Sequence, residues 1–175
     1  MNYASIKNCD VANGIGVRVS LFVSGCTHLC EGCFNEETWD FNYGTPFDKE
    51  AQKQVLDLLK PNHIAGLTLL GGEPLHPKNQ ISLLPFIRKY KKLYPNKNLW
   101  CYSGYTYEEI MEMIKELPYT KELLSYIDVL VDGKYVEELK DIRLKFKGSS
   151  NQRTIDLKKS LTQNNIILLK LGNIK

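Results

Sequence analysis

The stretch Cys26-Thr27-His28-Leu29-Cys30-Glu31-Gly32-Cys33 limits this chain more than any other. It puts three thiols in one short loop, spaced Cys-x3-Cys-x2-Cys. A single turn of backbone can aim all three sulfurs at one centre. Thiolates are soft ligands, and a cluster of them selects zinc, copper(I) or iron–sulfur. Iron–sulfur clusters usually take four cysteines, and the other two, Cys9 and Cys101, lie far off in sequence. Three readings follow from the spacing. One is a cluster with an iron left open for a ligand that is not a side chain. A second is zinc held by the three cysteines and His28, since Cys3His is a structural zinc shell. The third is a disulfide.

A chain of 175 residues predicts one domain, residues 1–175, with a core of its own. Hydrophobic residues at 43% and charged residues at 25% are ordinary for a soluble globular protein. A net charge of +3 is too mild to argue for nucleic acid. No apolar run reaches the ~20 residues needed to span a bilayer. The segment Met1 to Asp10 has no apolar h-region, so no secretory signal is expected. An odd number of cysteines, three of them crowded together, fits metal binding in a reducing cytoplasm better than a disulfide scaffold.

Short apolar runs alternate with amphipathic stretches. Val17, Val19, Leu21 and Val23 alternate with Arg18, Ser20 and Phe22, which predicts a strand ending at the cysteine loop. Thr45-Pro46-Phe47-Asp48 reads as a helix start, with Thr45 as cap and Pro46 in the first turn, and Pro61 as its end. Ala65 to Leu70 is continuously apolar, as a strand buried on both faces would be. A helix is expected over about 79–93, with Ile81, Leu84, Ile87 and Tyr90 inward and Pro85 marking a start or bend. Leu99 to Tyr102 predicts a further strand. Thr106 caps a helix carrying Ile110, Met111, Ile114 and Leu117, and Ile127 to Val131 predicts the next strand. Arg143 to Lys147 and Ile166 to Leu169 are candidate last strands. Strand–helix alternation implies parallel strands with right-handed crossovers. The expected fold is therefore α/β, a partial, open parallel β/α barrel of five to six strands. Ligands of such folds bind at the carboxyl ends of the strands, so the strand-end loops should share one rim.

On that rim Gly71-Gly72-Glu73-Pro74 would face the cysteines. Paired glycines let backbone come close to a ligand because no Cβ intrudes. Glu73 offers a carboxylate to a cationic amine. Taken alone, the same four residues also describe a plain tight turn. Ser103, Gly104 and Asp132 stand at strand ends and suit either ribose or adenine contacts or caps and turns. His28 reads either as a neighbour tuning the metal or as a packed loop side chain. Cys9 and Cys101 read as incidental or structural. Tyr102, Tyr105, Tyr107 and Tyr119 read as ordinary core and rim packing ahead of a partner surface.

The cysteine spacing after one strand, together with Gly71-Gly72-Glu73-Pro74 after the next, resembles the radical S-adenosylmethionine enzymes. With Asp132-Gly133 and Gly148-Ser149-Ser150-Asn151-Gln152-Arg153 added, the chain is similar, from about Tyr3 to Arg153, to the activating proteins of anaerobic (class III) ribonucleoside-triphosphate reductase. The resemblance implies that Cys26, Cys30 and Cys33 ligate three irons of a [4Fe–4S] cluster. The fourth iron would be chelated by the amino and carboxylate groups of S-adenosylmethionine. Gly32, Cys33 and Phe34 would lie against that cofactor, and Gly71, Gly72 and Glu73 would hold its amine. It implies one-electron cleavage of the sulfonium and transfer of a hydrogen atom from a glycine Cα on the reductase large subunit, leaving a stored glycyl radical. A flavodoxin- or ferredoxin-like electron donor, a cytoplasmic setting, and no nucleic acid or membrane complete the implied picture. The alternatives are an activase of another glycyl-radical enzyme, such as pyruvate formate-lyase, and a non-catalytic zinc or electron-carrier module. The latter gives no reason for the Gly71–Pro74 turn.

Overall fold

The computed structural model describes residues 1–171. The last four residues of the expected 1–175 domain lie outside the described residues. In chain order the elements are β1 (Asn2–Asp10), β2 (Val17–Val23), β3 (Thr45–Pro46), α1 (Lys49–Leu58), β4 (Ile64–Gly71), α2 (Pro77–Leu93) and β5 (Asn98–Tyr102). They continue with α3 (Tyr107–Glu116), α4 (Pro118–Tyr126), β6 (Val129–Asp132), β7 (Arg153–Asp156) and α5 (Leu157–Gln163). All seven strands form one sheet in the order β3-β1-β2-β4-β5-β6-β7. The fold is mixed α/β, as the alternating pattern predicts. Strands β2, β4, β5 and β6 run parallel, so their carboxyl ends, with the cysteine loop and Gly71-Gly72, meet at one edge.

The two faces of the sheet differ because the strand residues alternate. Val19, Leu21, Val23, Leu67, Leu69, Leu99 and Leu130 join helix residues such as Val55, Ile87, Ile110 and Leu123 in the main core. Trp100, Val129 and Val131 belong to a second, smaller cluster with Phe146 and Leu169. Arg18 on the second face is fully buried. It donates to Thr68 Oγ1 at 2.7 Å, Asn98 Oδ1 at 2.7 Å, and the Leu67 and Ile15 carbonyls, with its guanidinium over the Trp100 ring. Burial lowers its pKa to about 10, which leaves it a cation at neutral pH.

Several sequence expectations need correction. The sheet has seven strands rather than five to six, and its outer strands are antiparallel: β1 to β2, β3 to β1, and β7 to β6. Helix α1 is capped by Asp48, whose Oδ1 accepts from Glu50 and Ala51 N–H; Thr45 and Pro46 form an edge strand instead. Ile81 is not inward but 62% exposed. Leu117 ends α3 at extended backbone angles, which a following proline favours, and Pro118 opens the separate helix α4. Arg143 to Lys147 is not a strand: Leu144 N–H closes a turn on the Asp141 carbonyl and Phe146 has φ 57°. Ile166 to Leu169 contributes only an isolated bridge, Leu168 to Ile155. Thr106 caps α3 as expected, with Glu109 completing a capping box, and Pro85 sits inside an unbroken α2.

Candidate functional site

A cavity of about 430 Å³ opens where the parallel strands end. Cys26, Cys30 and Cys33 line it together with Phe34, Gly71, Gly72, Glu73 and Ser103, so the structure gathers most of the expected site. Gly32 does not line it. Gly32 serves the loop instead: at φ 68° it takes a left-handed turn, as Leu29 does at 50°. A Cβ at Gly32 would collide with the Glu137 carboxylate.

The cysteine loop is held from beneath by backbone. Gly25 N–H donates to the Thr38 carbonyl at 2.7 Å and Cys26 N–H to the Trp39 carbonyl at 3.1 Å. The Gly71–Pro74 turn is tied to the same segment, Gly72 N–H to the Val23 carbonyl at 2.7 Å and Glu73 N–H to the Gly25 carbonyl at 2.9 Å. The Asn79 side-chain amide adds bonds to the Ser24, Gly25 and Glu73 carbonyls. Cysteine loop and glycine turn are thus one unit, although 37 residues separate Cys33 from Gly71 in sequence.

Glu73 is 1% exposed, and its carboxylate accepts from four donors. Oε1 takes Leu75 N–H at 2.8 Å and Ser103 Oγ–H at 2.9 Å; Oε2 takes Gly104 N–H at 2.7 Å and His28 Nε2 at 2.9 Å. A carboxylate has about four acceptor positions. All four are filled from inside the protein, so the expected contact of Glu73 with a ligand amine meets a carboxylate already satisfied. His28 accordingly points at Glu73, its ring edge-on to Tyr105 with centroids 4.4 Å apart. The hydroxyl of Ser103 is likewise committed, to Glu73 and to Tyr105 N–H.

Asp132 lies outside the cysteine cavity and lines a neighbouring one with Glu108, Asn151 and Arg153. It is 1% exposed, caps α3 by accepting from Tyr107 N–H at 2.7 Å, and pairs with Arg153. Its observed role is to join β6, β7 and the start of α3.

The sequence motif at Gly148–Arg153 also finds its place. The β6–β7 connection loops out for some twenty residues and is clasped at its neck. Gln152 Nε2 donates to the Gly133 carbonyl at 2.9 Å and Asn151 Nδ2 to the Lys134 carbonyl at 2.8 Å, while Gln152 Oε1 accepts from Gly148 N–H at 2.8 Å. This loop brings Tyr135, Phe146 and Lys147 to the cavity, and Tyr135 packs on Phe34 at 5.0 Å. Sequence reasoning missed these wall residues, and also Lys7, Asn13 and Trp39. None belongs to a motif; only the long polar connection signalled that a functional loop was there.

Two observations test what the thiols can hold. Among the described residues, no three His, Cys, Asp or Glu side chains converge closely enough for one metal ion. Yet the three thiols line one cavity. A mononuclear zinc needs its ligands within about 2.3 Å of one point, and His28 is turned to Glu73. A cluster takes one cysteine per iron, so its ligands stand wider apart. The donor set fits an iron–sulfur cluster with three protein ligands, beside a cavity of the size small-molecule sites have. Burial pushes the Cys26 thiol up to about 11 and raises that of Cys30, so metal loading must release protons. Cys101 is fully buried in the main core and Cys9 is exposed on β1, and neither lines the cavity. No described helix is long and apolar enough to cross a membrane.

Comparison with known proteins agrees with this geometry. The model of a family described as a 4Fe-4S single cluster domain matches residues 12–155. The anaerobic ribonucleoside-triphosphate reductase-activating protein of Pasteurella multocida is 46% identical over 154 residues, covering 87% of this chain and 95% of that protein. The protein of the same name from phage T4 is 41% identical over 153 residues, with 87% and 92% covered. That of Escherichia coli K12 is 40% identical over 154 residues, with 87% and 96% covered.

Proposed function

This chain belongs to the family of anaerobic ribonucleoside-triphosphate reductase-activating proteins, and from that membership we propose that it is a radical S-adenosylmethionine activase of that reductase. The observation that carries the chemistry is the cavity shared by three cysteines and the Gly71-Gly72 turn. Cys26, Cys30 and Cys33 would each hold one iron of a [4Fe–4S] cluster, and the sheet would be the open partial barrel of the radical S-adenosylmethionine type. When bound, cluster and S-adenosylmethionine supply a one-electron cleavage whose carbon radical removes a hydrogen atom from a glycine Cα of the reductase.

The chain's own residues bind and orient. Gly71 and Gly72 would hold the amine end of the cosubstrate through backbone groups, and their missing Cβ atoms let the turn sit directly on Phe22, Val23 and Gly25. Gly71 at φ 102° takes a conformation that side chains rarely adopt. Phe34, Tyr135 and Phe146 line the cavity with aromatic surface. Lys7 and Lys147 are the cations on its lining and suit a carboxylate. The reductase and a flavodoxin- or ferredoxin-like donor would be the partners, in the cytoplasm. The relatives' names do not favour an activase of another glycyl-radical enzyme. A simple electron carrier leaves the cavity beside the cysteines without a purpose.

Anaerobic reconstitution tests this. The expected product is brown, holds about four irons per chain, and with dithionite converts S-adenosylmethionine to 5′-deoxyadenosine. A colourless protein with one tightly bound zinc overturns the proposal.

A further inference from the structure

His28 lies between Cys26 and Cys30 in sequence and lines the same cavity, but its ring is bonded to Glu73. Its side chain is 8% exposed, and Nε2 stands 2.9 Å from Oε2 of the buried Glu73 carboxylate. A carboxylate only accepts, so Nε2 carries the hydrogen and donates. The ring is clamped on both sides. Tyr105 meets it edge-on, and Gly104 passes so close that any Cβ there would overlap the ring. Gly104 N–H donates to the same oxygen that His28 uses. One buried carboxylate therefore fastens three strand-end loops: the cysteine loop after β2 through His28, its own turn after β4 through Leu75, and the loop after β5 through Ser103 and Gly104.

We propose that His28 is a positioning residue, whose Nε2–H bond to Glu73 holds the Cys26–Cys33 loop in register with the rim and so sets the arrangement of the three thiols. The proposal rests on the reading of those thiols as cluster ligands. The residue is not a ligand and takes no part in electron transfer. Its N–H bond reaches from the middle of the cysteine loop to the buried Glu73 carboxylate, beside bonds of Thr27 with Tyr105 and of the Cys30 thiol with the Tyr135 backbone, whereas the backbone bonds at Gly25 and Cys26 secure only the loop's beginning. A side chain lacking a donor leaves Glu73 Oε2 with one donor fewer and frees the loop between Thr27 and Gly32. Partners that orient metal-binding loops in this way are worth about 10–100-fold in metal affinity.

The test compares His28→Phe, which keeps a ring against Tyr105 but has no donor, with His28→Gln, which restores one. In the metal-free chain, hydrogen exchange is followed at the amides of residues 27–33 and at sheet amides of β4. His28→Phe should speed exchange in the loop about tenfold or more with the sheet unchanged, and His28→Gln should remain within about twofold of the parent. After reconstitution, His28→Phe should release iron to a chelator at least about tenfold faster and show an altered electron paramagnetic resonance spectrum of the reduced cluster, with His28→Gln close to the parent in both. Unchanged loop exchange in His28→Phe, or equal loss in both variants, overturns the proposal, the second outcome assigning the effect to ring packing. If the parent itself binds no cluster, the reading of the site fails while the exchange comparison still decides whether His28 fastens the loop.

Discussion

Replacing Arg153 by methionine should cost far more stability than neutralising its outer partner, Glu108. The guanidinium makes two pairs of bonds. Nε donates to Asp132 Oδ1 at 3.0 Å with Nη2 on Oδ2, and Nη1 and Nη2 reach Glu108 at 3.0 and 2.7 Å. The two carboxylates differ in burial: Asp132 is 1% exposed and Glu108 60%, with Arg153 itself at 31%. Removing one partner of a fully buried pair costs about 3–5 kcal/mol because the other charge is left without compensation. Discounting for the part of Arg153 that water reaches, Arg153→Met should cost about 2–3 kcal/mol. Glu108→Gln breaks only the outer arm and should cost about 0.2–1 kcal/mol. Hydrogen bonding from Arg153 lowers the Glu108 pKa to about 2. A depressed carboxylate stabilises above its unfolded pKa of about 4.3 and loses that contribution as pH falls through the folded value. The gap between parent and Glu108→Gln should thus be full at pH 7 and shrink as pH drops from about 4 toward 2. Urea unfolding of the metal-free chain measures both variants, with the slope unchanged. Equal costs for the two substitutions, or an Arg153→Met within about 0.5 kcal/mol of the parent, would refute the reasoning.

Other outcomes follow from the same geometry. Cys30→Ala should leave the chain folded by circular dichroism but abolish uptake of about four irons, whereas Cys101→Ala, a small change in the main core, should retain uptake and lose only about 1–2 kcal/mol in unfolding. Gln152→Leu removes the Gln152 bonds of the clasp at the neck of the 134–150 loop and leaves only that of Asn151, so limited proteolysis should cut that loop faster while β4 and β5 stay protected. Gly104→Ala forces a Cβ into the His28 ring and should displace it from Glu73, giving the loop exchange expected of His28→Phe.

The cysteine loop and the glycine turn were legible in sequence because each ends a strand whose pattern is plain, and parallel connections bring strand ends together. The helix at Thr106 was legible because its capping box is local. The edges of the sheet were not. Strand β1 mixes polar and apolar residues with a left-handed Cys9 at φ 55°, and its pairing with β2 is a long-range choice. Arg143 to Lys147 alternates as a strand would, yet Phe146 at φ 57° breaks it, because the segment closes a loop instead of joining the sheet. Glu73 was found by its motif, but a sequence does not show that four donors saturate its carboxylate. The same holds for Asp132, whose place at a strand end suggested a ligand contact, and whose partner Arg153 lies twenty-one residues on.

The central claim is that three thiols beside the Gly71-Gly72 turn serve radical transfer to a reductase. Electron paramagnetic resonance of the reconstituted protein mixed anaerobically with an anaerobic ribonucleoside-triphosphate reductase, S-adenosylmethionine and dithionite tests it most directly. The account predicts a glycyl radical signal on the reductase that is absent with Cys30→Ala and requires S-adenosylmethionine. A reductase that stays radical-free while the parent protein cleaves S-adenosylmethionine would contradict it.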